Sequence, residues 1–217
     1  VEASQFGAYN RLTAFLMHDF NNLIAQQSLV VKNAEKHRHN PEFVDDAIGT
    51  IANSVERMRR LSAQLSNSSK PSAKRIVDLK EVLAKAAQRV EPRLPKPVLN
   101  IVEDDILIEA NFERLVAMTE HLVRNAQDAS DDDGEIRIDA SANESIATVR
   151  ISDTGCGMTP EFVRKRLFHP FDSTKGTQGM GIGAYQAREY VVELGGQMHV
   201  ESEPGKGTVF SVRLPLA

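Results

Sequence analysis

The chain has 217 residues, 41% of them hydrophobic, which is enough for one large or two modest domains with real cores. A net charge of −4 leaves no global basic surface to recommend nucleic acid or an anionic membrane as a partner. The single cysteine, Cys156, excludes an internal disulfide framework and a cysteine-rich metal site, and fits a reducing cytoplasm. There is no run of about 18 apolar residues and no signal-peptide pattern, so this stretch is expected to be cytoplasmic and to make no membrane contact of its own.

Apolar residues Leu12, Phe15, Leu16, Phe20, Leu23, Ile24, Val30, Val31 and Ala34 recur mostly at steps of three and four, predicting an amphipathic helix from about residue 5 to 38. Asn40-Pro41 breaks it. Ile48, Ile51, Val55, Met58, Leu61 and Leu65 repeat in the same way and predict a second helix from Pro41 to Asn67, antiparallel to the first. Two helices alone cannot cover both apolar stripes. Their pattern predicts a homodimer closed as a four-helix bundle, the alternative being a hairpin packed on its own second domain. His18 falls in the first helix, followed by Asp19, Phe20, Asn21 and Asn22. A helical histidine taken alone reads as a solvated or core residue. His37 and His39 flank Arg38 at the hairpin turn, where no third metal ligand is near, and a solvated loop is the better reading.

The polar stretch Ser66 to Ser72, with Pro71, predicts a hinge, dividing the chain into residues 1–69 and 70–217. Beyond it strands are expected at Ile76–Leu79, Val98–Val102, Ile106–Ala110, Glu135–Ala140, Ala147–Ser152, Val200–Ser202 and Thr208–Leu214, and helices at Lys80–Val90, Phe112–Ala129 and Ile182–Leu194. Two glycine-rich turns stand out among them: Asp153-Thr-Gly155-Cys-Gly157 and Gly179-Met-Gly181-Ile-Gly183. Glycines permit positive φ and close backbone approach, which suits a phosphate-contacting turn before a helix. Either run alone would be a tight turn. Both together, with Asn125-Ala-Gln-Asp128 upstream, Phe168-His-Pro-Phe171-Asp-Ser-Thr-Lys175 between them and Gly205-Lys-Gly207-Thr208 downstream, exceed what turns require.

These five runs resemble the N, G1, F, G2 and G3 boxes of sensor histidine kinases, and the resemblance covers nearly the whole chain. Around His18 and the Phe171-to-Gly176 run it is closest to the kinases of PEP-CTERM exopolysaccharide systems. The resemblance implies a Bergerat (GHKL) α/β sandwich, with a mixed sheet and helices on one face, behind a dimeric helical hairpin. It also implies binding of ATP with Mg2+, autophosphorylation at His18, and transfer to an aspartate on a response-regulator receiver domain. Residue by residue, it makes Asp19 the base beside His18 and Asn22 the amide that orients water for regulator dephosphorylation. Asn125 becomes the magnesium ligand and Asp153 the acceptor of the adenine amino group. Gly155 and Gly157 lie at the base, Gly179, Gly181 and Gly183 around the phosphates. Lys175 reaches the phosphates, Thr208 lines the base, and Asp128 joins the nucleotide site with its helix. Phe168 and Phe171 anchor the intervening loop, a role packing alone could explain. Starting at Val1 rather than Met, the chain reads as the catalytic piece of a longer sensor, whose parent an inner-membrane anchor would suit.

Two positions depart from the family pattern. Leu23 stands where a kinking proline often sits, which leaves the bending of the helix open. His121 occupies the place, four residues before Asn125, where many kinases carry asparagine and the related gyrase and chaperone ATPases carry a water-activating glutamate. Glu120 is one residue off, about 100° around the helix. Two rivals therefore remain: a nucleotide-driven ATPase of the gyrase and chaperone class, and a degenerate kinase serving as a regulator-docking scaffold. Cys156 is read as a small site residue first, a reactive thiol second.

Overall fold

The computed structural model describes residues 22–67, 73–169 and 181–217. Chain contacts divide it into two compact units, before and after residue 71.

In the first unit, helix α1 (residues 22–37) and helix α2 (Pro41–Asn67) form a hairpin. Its turn closes through the Asn40 amide on the His37 carbonyl at 2.8 Å. The Asn40 side chain then accepts from Glu42 N at 3.1 Å, capping α2 ahead of Pro41. His37 packs its ring 5.8 Å from that of Phe43, and no group of three potential metal ligands occurs among the described residues. Leu23, Gln27, Val30 and Ala34 on α1, and Phe43, Ala47, Thr50, Ser54 and Met58 on α2, are the buried or half-buried positions among the described side chains. At the centre of this seam Gln27 Nε2 donates to Ser54 Oγ at 2.7 Å, and Ser54 Oγ donates to the Thr50 carbonyl. Burying a hydroxyl without a partner is costly, so this bond pins the register of the two helices. A second stripe, Val44, Ile48, Ile51 and Val55 with Ile24 and Val31, is left exposed.

The second unit has a five-stranded sheet in the order β2 (Pro97–Ile101), β4 (Ile136–Ala142), β5 (Ile146–Asp153), β7 (Gly207–Pro215), β6 (Gln197–Glu203). Strands β2 and β4 run parallel and the remaining pairs antiparallel. A separate pair joins β1 (Arg75–Asp78) to β3 (Leu107–Ala110). Period-two alternation gives the main sheet two unlike faces. Ile138, Ile151 and Phe210 are successive cross-strand partners on the buried face, and Arg137, Arg150 and Arg213 point the other way, exposed. Helices α3 (Leu79–Val90), α4 (Phe112–Ala129) and α6 (Gly183–Glu193) cover the buried face with Leu83, Leu122, Val123 and Val191 among others. This is the mixed, one-sided sandwich of the Bergerat fold.

Local chemistry explains where these elements start and stop. Asp78 caps α3 by accepting from Lys80 N, and Asn111 caps α4 by accepting from Arg114 N. Helix α6 ends where Gly195, at φ +77, turns the chain and Gly196 N bonds back to the Val191 carbonyl. Tyr190 ties α6 to the start of α4: its hydroxyl accepts from Asn111 N and donates to the Asn111 carbonyl. Burial pushes that phenol above its ordinary range. Arg114 lies 4.1 Å over the Tyr190 ring and forks onto both oxygens of Glu193. Inside, Gln127 Nε2 sits within hydrogen-bond distance of the Val90, Arg93 and Pro95 carbonyls, fixing the loop that enters β2.

The helix expected at Phe112–Ala129 has those bounds, and the strands shift by one to three residues at their ends. Helix α5 (Pro160–Lys165) was not expected. It is too short to show a helical period, and its start is set by the Thr159 hydroxyl accepting from Phe162 N.

Candidate functional site

Asp153 closes β5 and is the hub of the site. The residue is only 8% exposed, and Oδ1 accepts from Gly155 N at 2.9 Å and from Thr208 N at 3.2 Å. Two backbone donors on one oxygen hold the carboxylate in a single orientation. The turn after it is pressed against α4: Cys156 N bonds the Ala129 carbonyl at 2.8 Å, and a Cβ on Gly155 would fall 2.4 Å from that same oxygen. Cys156 itself is exposed. Gly157, at φ +64, passes the Glu203 carbonyl, while Gly207, at φ +95, passes that of Asp153. The first glycine turn and the β6–β7 turn thus interlock, with Gly205 N donating to the Cys156 carbonyl.

Behind them lies a hydroxyl pair absent from the sequence reading. Ser202 Oγ is 2.9 Å from Thr208 Oγ1, 3.0 Å from the Gly207 carbonyl, and accepts from Met158 N at 2.8 Å. Thr208 is buried at 5% exposure. Position 202 could have been found from the register, since it faces 208 across the hairpin.

Gly207→Ala is expected to destabilise this unit by about 3 kcal/mol, combining left-handed backbone strain with a Cβ that would meet a carbonyl. Thermal unfolding should show the midpoint falling by roughly 10 °C. A fall below about 3 °C would mean that the interlock is looser than its contacts imply.

Gly183, from the second glycine turn, meets α4 further up. Gly181 has φ +62, and Gly183 begins α6, whose N-cap residue Ile182 makes no side-chain bond. Among the described residues no side chain caps the first amides of α6, the arrangement that receives anions at helix N-termini. Gly183 lies against the ring of His121, and Gly155 against the carbonyl of Ala129. Eight residues of helix separate those two contacts, or about 12 Å, and half-buried Asn125 stands midway between them. Asp128 is paired with Arg93 at the far end of α4. Phe168 is half-buried beneath Arg188, 4.8 Å from the ring. Glu120 is held by Arg124 at 3.0 Å and faces Arg89 at 3.8 Å. Lys175, Gly179, Phe171, His18 and Asp19 lie outside the described residues. Asn22 is exposed at the start of the described part of α1.

The donor set fits a magnesium nucleotide. Glycines stand where side chains would obstruct, a fixed carboxylate lies at one end and helix amides at the other. A single amide between them is sufficient for an ion that takes most of its ligands from phosphates and water.

Residues 110–217 match the family model described as histidine kinase-, DNA gyrase B-, and HSP90-like ATPase. The part of the chain that carries the site is a member of that ATPase class. The sensor protein SrrB of Staphylococcus aureus is 28% identical over 193 residues, covering 81% of this chain and 32% of that protein. The catalytic domain of histidine kinase ThkA is 26% identical with a TM-score of 0.60, covering 66% of this chain and 95% of that one. A structure of ThkA in complex with the response regulator protein TrrA shares the fold over 99% of this chain and 64% of that one, at a TM-score of 0.76 and 22% identity. The chain belongs to the sensor histidine kinases of bacterial two-component systems. It spans about a third of the length of the curated relatives it matches. Among the described residues no helix is long and apolar enough to cross a membrane.

Proposed function

We propose that the chain is the catalytic core of a sensor histidine kinase that phosphorylates itself on His18 from magnesium ATP and passes the phosphoryl group to an aspartate of a response regulator. The observation that carries this reading is the alignment along α4: fixed Asp153 at one end, Asn125 midway, and the N-terminus of α6 at the other. Asp153 accepts from the adenine amino group, Gly155 and Gly157 admit the base, and Thr208 lines it. Gly179, Gly181, Gly183 and Lys175 hold the phosphates, with Asp128 shaping the C-terminal end of α4 through Arg93. Asn125 would hold magnesium, which when bound would supply charge neutralisation at the phosphates.

In the transfer, a ring nitrogen of neutral His18 forms a bond to the γ-phosphorus as the bond to the β–γ bridging oxygen breaks. ADP leaves, and Asp19 takes the proton from the other ring nitrogen. Residues 1–69 serve as dimerisation and phosphotransfer domain and residues 70–217 as ATP-binding domain. Two copies join through the hairpin, whose outer stripe of Val44, Ile48, Ile51 and Val55 supports that pairing. Asn22 orients water to dephosphorylate the regulator. The core works in the cytoplasm, its parent anchored in the inner membrane, and the PEP-CTERM affiliation is part of this proposal.

The test is incubation with γ-labelled ATP and magnesium, comparing wild type with His18→Ala and Asn125→Ala. Label that is alkali-stable, acid-labile and missing from both variants is expected. Persistent label on His18→Ala would defeat the histidine assignment. The ATPase rival needs a glutamate free to activate water, and Glu120 is instead held by Arg124. Sustained phosphate release without protein labelling would reinstate it. Failure to bind nucleotide in calorimetry would favour the scaffold.

A further inference from the structure

The ring of His121 on α4 lies against Gly183, the first residue of α6. A Cβ built on Gly183 would lie 1.5 Å from His121 Nε2, 1.9 Å from Cε1 and 2.2 Å from Cδ2. The imidazole therefore fills the space that any other residue at 183 would need. Gly155, Gly157 and Gly207 are different, because their missing Cβ atoms would first meet the backbone carbonyls of Ala129, Glu203 and Asp153. A carbonyl in a strand or helix cannot be exchanged, whereas a side chain can. His121 lies one helical turn before Asn125, on the same face of α4.

We propose that His121 is a positioning residue of the nucleotide site. Its ring sets how closely the first turn of α6 approaches α4, and thereby the separation between the α6 amides and Asn125, which must address one polyphosphate together. The proposal rests on the nucleotide reading above. Its physical content is a coupling: the glycine at 183 is required because of the ring at 121. The effect is local, since Asp153 and Gly155 are anchored about 12 Å further along the helix. Polyphosphate binding responds to it and base binding does not.

Calorimetric titration of the 217-residue chain with ADP plus magnesium, and separately with adenosine, tests this. The variants are Gly183→Ala, His121→Ala, the two combined, and His121→Gln, which retains a planar nitrogen-bearing group of similar reach. Gly183→Ala should weaken ADP binding by about tenfold, the scale of one badly seated methyl group, with adenosine unaffected. In the His121→Ala background the same glycine substitution should cost less than about threefold, because the methyl then has room. His121→Gln should stay closer to wild type in ADP affinity than His121→Ala. Should Gly183→Ala unfold, the double variant, folded and binding ADP as His121→Ala does, carries the same conclusion.

Equal losses from Gly183→Ala in both backgrounds would overturn the coupling, since the glycine would then serve the ligand directly. No loss from Gly183→Ala would also overturn it, because the ring would have yielded. Parallel losses of ADP and adenosine would point to general destabilisation and defeat the positioning role. Wild-type protein that binds neither ligand would defeat the nucleotide reading itself, a result distinct from all of these.

Discussion

Asp153→Asn is expected to leave the second unit folded while lowering ATP and ADP affinity by about 100-fold, and Asp153→Ala to lose both binding and stability. The difference follows from what each substitution keeps. Asparagine retains an oxygen to accept from Gly155 N and Thr208 N, so the two buried amides stay satisfied. It replaces the second carboxylate oxygen with a donor, which opposes the adenine amino group instead of accepting from it. A charge-assisted bond is worth about 1.5–3 kcal/mol, and turning attraction into a donor–donor contact brings the loss to the upper end of that range. Alanine removes the acceptor altogether and orphans both amides at about 1–3 kcal/mol each, enough to lower the melting midpoint by roughly 10 °C. Calorimetry and thermal unfolding on the two variants separate the roles. If Asp153→Asn binds ADP as wild type does, the carboxylate is structural and the adenine assignment is wrong.

The carboxylate and the close backbone approach behind this expectation were legible because the first glycine turn is local, while the adenine role came from the family resemblance. Asp153, Gly155 and Gly157 fall within five residues, and their types announce a carboxylate beside close backbone approach. The surfaces they approach were not legible. Gly155 is shaped by the carbonyl of Ala129 and Gly183 by the ring of His121, contacts across 26 and 62 residues that no local pattern encodes. Secondary structure divides in the same way. Helix α4 was legible at both ends because Asn111 caps it and its apolar period is unbroken. Strand β6 begins at Gln197, three residues before its first fully buried position, because Gln197 and His199 belong to the open face and hide the alternation. Ser202 escaped notice as a short polar residue whose role exists only once Thr208 is folded against it.

The hairpin shows a further limit of periodicity. Apolar positions at steps of three and four were read as one stripe per helix, yet they separate into two faces. Leu23, Val30, Ala34, Phe43 and Ala47 lie in the seam with polar Gln27 and Ser54, while Ile24, Val31, Val44, Ile48, Ile51 and Val55 face outward. Ile48 is 59% exposed and Ile51 43%. Fully burying one such side chain is worth about 1.5–3 kcal/mol, so leaving six uncovered per chain forfeits roughly 10 kcal/mol that a second copy would recover in part.

From this we expect Ile48→Asp combined with Ile51→Asp to raise the dimer dissociation constant at least about a thousandfold, because each dimer would carry four uncompensated carboxylates into its seam at several kcal/mol apiece. Analytical ultracentrifugation at micromolar concentration should find wild type as a dimer and the variant as a monomer. Label uptake at His18 should fall with the dimer, since a lone two-helix hairpin is marginal and presents no bundle. ADP affinity should stay near wild type, because α4, α6 and Asp153 belong to the other unit. The rival in which the hairpin packs on its own second domain predicts a monomeric wild type and a change in the melting of the ATP-binding unit. A wild-type chain that sediments as a monomer at all concentrations tested would therefore reject the bundle and leave the outer stripe to a contact within the chain.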